Sequence, residues 1–321
     1  MATDLINTPS AKPVMQRSLR RSVTIKGTGL HTGKRASVSI HPAPAGTGIL
    51  FIRADIKQSP EILAHFSRVV STQLATTLGT DGVTVSTVEH LLATFVGMAI
   101  DNAVIEVSGP EVPVLDGSAA LYCEAFEAAG IVDQDLPRRR IRLLKPIEVR
   151  IGEKWAIAEP CEHLEIHGTV EFDHPYIGYQ EAVFIEGQTP FSEIAPARTF
   201  GFFKDVQALR RMGLTLGGSL ENAVVLDEVA IMNPEGLRFG NEFARHKVLD
   251  ALGDFCLAGA MLSAKIRLHR AGHDLHRKLL EEWFRDAANF DGGPVPAAQS
   301  ESQGPGSSAT DGRGALSAIA G

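Results

Sequence analysis

The chain has 321 residues, more than one hydrophobic core usually fills, so two domains are expected. Its hydrophobic fraction of 44% and charged fraction of 21% are those of an ordinary globular protein. A net charge of -7 argues against a nucleic-acid binder, and three cysteines without CxxC spacing give no thiolate metal cage, which suits a reducing, cytoplasmic setting.

In chain order, residues 1–14 read as a flexible leader, polar and without the apolar core of a secretory signal. No run approaches the ~18 apolar residues of a membrane span. Residues 15–135 read as a first α+β domain. "RSVTIKGTGLHTG" and "RASVSIHPA" alternate in polarity and are separated by glycines that suit a hairpin. Helices are predicted at Ser86–Met98 and Ala119–Ala129, with the strand "NAVIEVSG" between them. The apolar pattern breaks at Asp133–Arg140, "DQDLPRRR". Residues 141–290 repeat the style as a second α+β domain. Strands are predicted at Ile141–Val149, Trp155–Glu159, Leu164–Phe172 and Gln180–Ile185, then helices at Phe202–Arg211 and Asn241–Ala260. Each half reads as helices layered on mainly antiparallel sheet. The element order suggests a structural duplication, although no sequence repeat is visible. Residues 291–321, rich in Gly, Ala, Ser and Pro, read as a disordered tail.

Three segments carry candidate chemistry. In "FARHKVLDALGDF" (243–255), His246, Asp250 and Asp254 stand at i, i+4 and i+8 on one helical face. That spacing serves a metal, but taken alone it more often marks a solvated face with a weak His–Asp pair. In "STVEHLLATF" (86–95), Ser86 or Thr87 can cap a helix whose first turn carries Glu89 and His90. Glu89 then either complements the helix dipole beside an exposed His90, or serves as a base beside a metal ligand. His90, His246 and Asp250 together would leave one zinc position open, as catalytic sites do. In "RAGHDLH" (270–276), His273 follows a glycine at a loop-like position, as a general acid in a cleft or as a surface histidine, with His269 and His276 as competitors. "GTGLHTG" (27–33) and "LTLGGSLENAVV" lack dinucleotide-fold or P-loop context and read as turns, with His31 and Asp116 as turn residues.

Taken in order, "GTGLHTG", "STVEHLLA", "DNAVIEVSGPEVPVLDGSA", "ARTFGF", "GLTLGGSLENAVV", "NPEGLRFGNEFARHKVLDALGD" and "AGHDLH" closely resemble the UDP-3-O-acyl-N-acetylglucosamine deacetylase family of Gram-negative bacteria, over roughly residues 16–285. The resemblance implies two α+β domains of similar topology, each with an inserted element and with the active site at their interface. It implies zinc-dependent hydrolysis of the acetamide of UDP-3-O-[(3R)-3-hydroxyacyl]-N-acetylglucosamine, the committed step of lipid A biosynthesis. By matching position, His90, His246 and Asp250 would bind zinc, with ferrous iron an alternative for such a donor set. Glu89 would be the general base and His273 the general acid, oriented by Asp254, while Thr199 would hydrogen-bond the oxyanion. Lys247, Lys154 and Phe172 match positions near the nucleotide and diphosphate. Arg270 stands where the family often has a lysine, keeping the charge but changing the phosphate geometry. Phe200, Phe202, Phe203, Val206, Leu216, Ala223 and Val225 are candidate substrate contacts or acyl-passage linings, the alternative for each being ordinary core. A monomer without nucleic-acid partner or membrane span is expected. The remaining alternative is a zinc amidohydrolase of another acylated sugar.

Overall fold

The computed structural model describes residues 13–292. Its first large sheet has five strands in the spatial order Val23–Thr28, Arg35–Pro42, Ala103–Ser108, Ile49–Arg53, Glu61–Leu63. Successive pairs run antiparallel, antiparallel, parallel and antiparallel. The second sheet contains the same five-strand unit: Ile147–Ile151, Lys154–Pro160, Met261–His269, Leu164–Phe172 and Gly178–Ile185, with the same sequence of pair directions. In both, two hairpins come first along the chain and the last strand in sequence lies between them. Arg140–Leu143 and Phe290–Gly292 extend the second sheet to seven strands. The duplication suggested by element order is therefore real, although no repeat is visible in the residues.

The helices repeat as well. Helix α1 (Glu89–Gly97) precedes the central strand of the first sheet and α2 (Ala120–Ala129) follows it. Helix α3 (Phe203–Arg211) belongs to an insertion. Helix α4 (Glu242–Cys256) precedes the central strand of the second sheet and α5 (His273–Phe284) follows it. Each half carries its insertion between the second hairpin and the helix. In the first half it is a three-stranded sheet, Val69–Ser71, Thr77–Thr80 and Val83–Val85. In the second, α3 lies between the parallel pair Phe200–Phe202 and Val224–Leu226. The resulting α+β architecture has two similar units, as the resemblance implied.

Helices α1 and α4 pack against each other, and α4 also packs on Leu164–Phe172 and Gly178–Ile185 of the second sheet. Residues Glu89 to Phe95 of α1 are all buried, so the helix has no solvent face for its polar residues. Leu91, Leu92 and Phe95 are completely enclosed, and burial of that kind stabilises by about 1.5–3 kcal/mol per side chain. The approach of α4 depends on glycine: a Cβ on Gly253 would lie 2.0 Å from the Glu89 carbonyl oxygen. On the sheet side of α4, a Cβ on Gly168 would lie 2.8 Å from Val248 Cγ2.

Several element boundaries differ from expectation. The segment predicted as one strand, Ile141–Val149, is two strands in the same sheet, Arg140–Leu143 and Ile147–Ile151. The central strand Met261–His269 lies outside every predicted strand, because its first buried run, Leu262–Ala264, follows α4 after a short turn and alternation starts only afterwards. Within the expected break, Ile131–Pro137 pairs antiparallel with Met15–Leu19. Its side chains are half-buried or exposed, which accounts for the polar sequence. Asp291 and Gly292, at the start of the expected tail, belong to the last strand. The rest of that tail and residues 1–12 of the expected leader lie outside the described residues. Among the described residues, no helix is long and apolar enough to cross a membrane.

Candidate active site

The contact of α1 with α4 brings together residues more than 150 positions apart. His90 Nε2 lies 3.5 Å from Asp250 Oδ1, and His246 Nε2 lies 3.3 Å from the same oxygen. One ligand atom from each of the three falls within 4.8 Å of the others. His90, His246 and Asp250 are only 4%, 2% and 2% exposed, which rules out the solvated-face reading of α4 and the exposed reading of His90. The predicted capping also differs: α1 begins after Val88 with no side-chain cap, and the Thr87 hydroxyl donates to Glu111 instead.

The electrostatics of this triad fit positive charge at its centre: burial lowers the His90 pKa, but Asp250 and Glu89 outweigh it and raise it. The His246 Nδ1–H donates to the Ala197 carbonyl at 3.1 Å, which leaves an Nε2 lone pair facing Asp250. Burial holds the imidazole neutral by lowering its pKa to about 4. Burial opposes ionisation of Asp250, but the neighbouring His246, Lys247 and His90 outweigh it and keep the carboxyl below its usual range. Asp250 Oδ1 is buried and has no hydrogen-bond partner. An unsatisfied carboxylate oxygen facing an imidazole lone pair is costly in a dry site, and a divalent ion removes the cost. Two imidazoles and one carboxylate form a donor set that zinc accepts with a position left open.

A second group of side chains is joined by hydrogen bonds around Asp254. Asp254 Oδ2 accepts the Nδ1–H of His273 at 2.7 Å and the Nδ1–H of His276 at 2.8 Å. The Thr76 hydroxyl donates to Asp254 Oδ1. This carboxylate is fully satisfied without an ion, unlike Asp250, although its donor atoms are similarly clustered. Burial alone would discharge His273, but the charge and hydrogen bond of Asp254, with Glu89 beyond, raise its pKa to about 9. The His273 Nε2 faces Glu89 Oε1 at 4.0 Å. Glu89 Oε2 accepts the Thr76 backbone N–H at 3.1 Å, so Oε1 is the oxygen left for a reacting molecule. Burial raises the Glu89 pKa, the direction expected of a proton acceptor working near neutrality. His273 does not sit in a loop as expected: it is the first residue of α5, set by the extended Gly272.

Sequence reasoning passed over the supporting roles of Thr76, His276 and Arg198. Thr76 and His276 hold Asp254, and nothing in their spacing from the helix motif reveals it. Arg198, from "ARTFGF", is buried against Glu242 at the start of α4, with Nε to Oε1 at 2.8 Å and its own N–H to the same oxygen at 3.0 Å. That clamp fixes the loop whose Ala197 carbonyl orients His246 and which carries the half-buried Thr199 two residues on. A buried arginine in a motif rich in small and aromatic residues was the available signal.

Around this centre lie cations and aromatic rings. Lys247 Nζ is 3.2 Å from Asp250 Oδ2 and 5.5 Å from the centre of the Phe200 ring. Burial lowers the Lys154 pKa, and the nearby positive charges of Lys247 and Arg270 lower it further. The three therefore share one electropositive region, while Arg270 also pairs with Glu153 at 3.2 Å. Phe200 packs edge-on against Phe172 and Phe243, and Phe172 touches Phe202, which forms an aromatic wall beside His246. Val206, Ala223 and Val225 are half-buried, and Phe203 and Leu216 are exposed at 53% and 48%. These five are not ordinary core. The turn at 27–33 meets the 214–218 turn through backbone bonds from Leu216 to His31 and from Gly217 to Leu30. Asp116 caps the Ser118 backbone and pairs with Arg238, a structural role.

Known proteins resemble this chain over most of its length. A family model described as UDP-3-O-acyl N-acetylglycosamine deacetylase matches residues 16–285. The chain is 45% identical over 292 residues to the UDP-3-O-acyl-N-acetylglucosamine deacetylase of Myxococcus xanthus, covering 91% of this chain and 92% of that relative. It is 45% identical over 270 residues to the enzyme of the same name from Acidithiobacillus ferrooxidans, covering 83% and 89%. The corresponding protein of Brucella ovis is 43% identical over 278 residues, covering 86% and 97%.

Proposed function

The chain belongs to the UDP-3-O-acyl-N-acetylglycosamine deacetylase family, and from that membership we propose that it removes the N-acetyl group of UDP-3-O-[(3R)-3-hydroxyacyl]-N-acetylglucosamine with zinc held by His90, His246 and Asp250. The observation that carries this reading is the buried, unpartnered Asp250 Oδ1 facing two histidines. Zinc bound there would polarise the acetyl carbonyl and acidify the attacking water.

The protein's own groups do the rest. Glu89 Oε1 takes the proton of the attacking water, while the Thr76 N–H holds Oε2 in place. The Thr199 hydroxyl supports the developing oxyanion. An amine departs poorly unless protonated, and His273 Nε2–H supplies that proton while Asp254 retains the other ring N–H. Lys247, Lys154 and Arg270 bind the diphosphate, and Arg270 presents a fork where a lysine presents a point charge. Phe172, Phe200, Phe202, Val206 and Ala223 pack against the substrate's sugar and acyl chain. Ligands from both halves of one chain support a monomer as the active unit. The unpaired state of Cys123, Cys161 and Cys256 supports a cytoplasmic location.

The test is release of acetate from UDP-3-O-acyl-N-acetylglucosamine substrates of graded acyl length, with chelator and with zinc or ferrous iron restored. Activity lost to chelator and recovered with zinc is expected. Failure on every acyl length would overturn the substrate assignment, and insensitivity to chelator would overturn the metal.

A further inference from the structure

We propose that Cys161, His163 and Glu165 form a second divalent-metal site, for zinc or a similar transition-metal ion, on the outer face of the second sheet. Along strand Leu164–Phe172, Leu164, Ile166 and Gly168 are buried towards α4, so Glu165 and His167 point to the opposite, half-exposed face. Cys161 and His163 precede them at the same two-residue interval. The site is thereby separated from His246 and Asp250 by the sheet itself.

The donors are already gathered. One ligand atom from each of Cys161, His163 and Glu165 lies within 4.8 Å of the others. Cys161 Sγ is 3.7 Å from Glu165 Oε1 and 4.0 Å from His163 Nδ1. A tetrahedral zinc with ordinary Zn–S and Zn–N bonds sets such donors roughly 3.3–3.6 Å apart, so the two sulfur distances must shorten by a few tenths of an ångström, and the His163 ring turns to offer one of its nitrogens. The two oxygens of Glu165 are divided in function. Oε2 accepts from His167 Nε2 at 3.1 Å and faces Lys265 Nζ at 3.8 Å. Oε1 faces the thiol and the His163 ring. His163 Nε2 lies 3.0 Å from that oxygen, is buried and makes no hydrogen bond of good geometry.

A thiolate, an imidazole and a carboxylate select zinc and its neighbours over calcium or magnesium, which take oxygen donors. Binding releases the thiol proton to solvent, and water or a reoriented His167 completes the shell.

Cobalt reports this site separately from the first, because only a thiolate ligand gives sulfur-to-cobalt charge transfer in the near ultraviolet. The full chain, stripped of metal and titrated with cobalt, should bind a second equivalent with that absorption and keep it through gel filtration in metal-free buffer. Cys161→Ser should abolish the band and leave the first equivalent. His163→Ala should lose the second equivalent while circular dichroism and deacetylation stay as in the wild type. Absence of the band, its persistence in Cys161→Ser, or loss of the second equivalent on gel filtration would each overturn the proposal. Failure of the deacetylase assignment would leave these readouts unaffected.

Discussion

The two halves share one topology and divide the chemistry unequally. The first half brings Glu89 and His90, adjacent at the start of α1. The second brings His246, Asp250 and Asp254 along α4 and His273 at the start of α5. A duplicated unit places equivalent helices face to face, and its partner helices need not carry equivalent residues. Either half alone holds only part of the proposed ligand set, so the cluster forms only where α1 and α4 touch.

That division has a direct test. If both halves are needed for metal, His90→Ala should lose bound zinc as completely as His246→Ala, and deacetylation should fall to background in each. Metal retained by His90→Ala, measured as zinc per chain after dialysis, would reduce the first half to a scaffold. Proton transfer is divided in the same way. Glu89→Ala and His273→Ala should each lower turnover by about 10²–10⁴-fold while zinc content holds. Near-wild-type turnover in either variant would remove that residue from the mechanism.

The contact itself can be strained. Gly253→Ala inserts a methyl into the 2.0 Å space against the Glu89 carbonyl, and backbone cannot yield as a flexible side chain can. We expect a loss of about 1–3 kcal/mol in denaturant stability. A misplacement near 1 Å at Glu89 would lower turnover by about 10²-fold. Gly168→Ala meets the Val248 side chain instead and should cost less on both counts. Equal effects would mean that the α1–α4 contact is no more exacting than the helix–sheet contact.

The two halves were also unequally legible in the sequence. Both site helices were readable, because His246–Asp250 and Glu89–His90 lie inside apolar runs of helical period. What spacing could not supply was burial. Whether His246 faces water or α1 depends on Gly253 and on a contact between segments far apart in sequence. Ordered motifs resolved that choice where periodicity left it open. The central strand Met261–His269 was missed because its uninterrupted start resembles a continuation of α4. Thr76 was missed, and His276 was read only as a rival to His273, for a different reason: each is defined by its hydrogen bond to Asp254, and no local pattern marks such a partner.

The smallest effect expected is also the one that distinguishes orientation from charge at the acid. In the metal-free protein, His273 should titrate at about 9, above its ordinary value of 6.5, as read from imidazole resonances. Because the folded value is the higher one, the stabilisation from the charged pair is complete below about 6.5. It is lost as pH rises through about 9. A bound dication nearby lowers that value, so the alkaline limb of turnover should fall below it. Asp254→Asn keeps an acceptor for the Nδ1–H and removes the charge, which should move the limb further down. His276→Asn should do the reverse. Asp254 Oδ2 then serves one ring instead of two, binds the His273 proton more strongly, and moves the limb slightly upward with maximal turnover little changed. A downward shift in His276→Asn would mean that His276 holds Asp254 in place for His273 and does not compete for its charge.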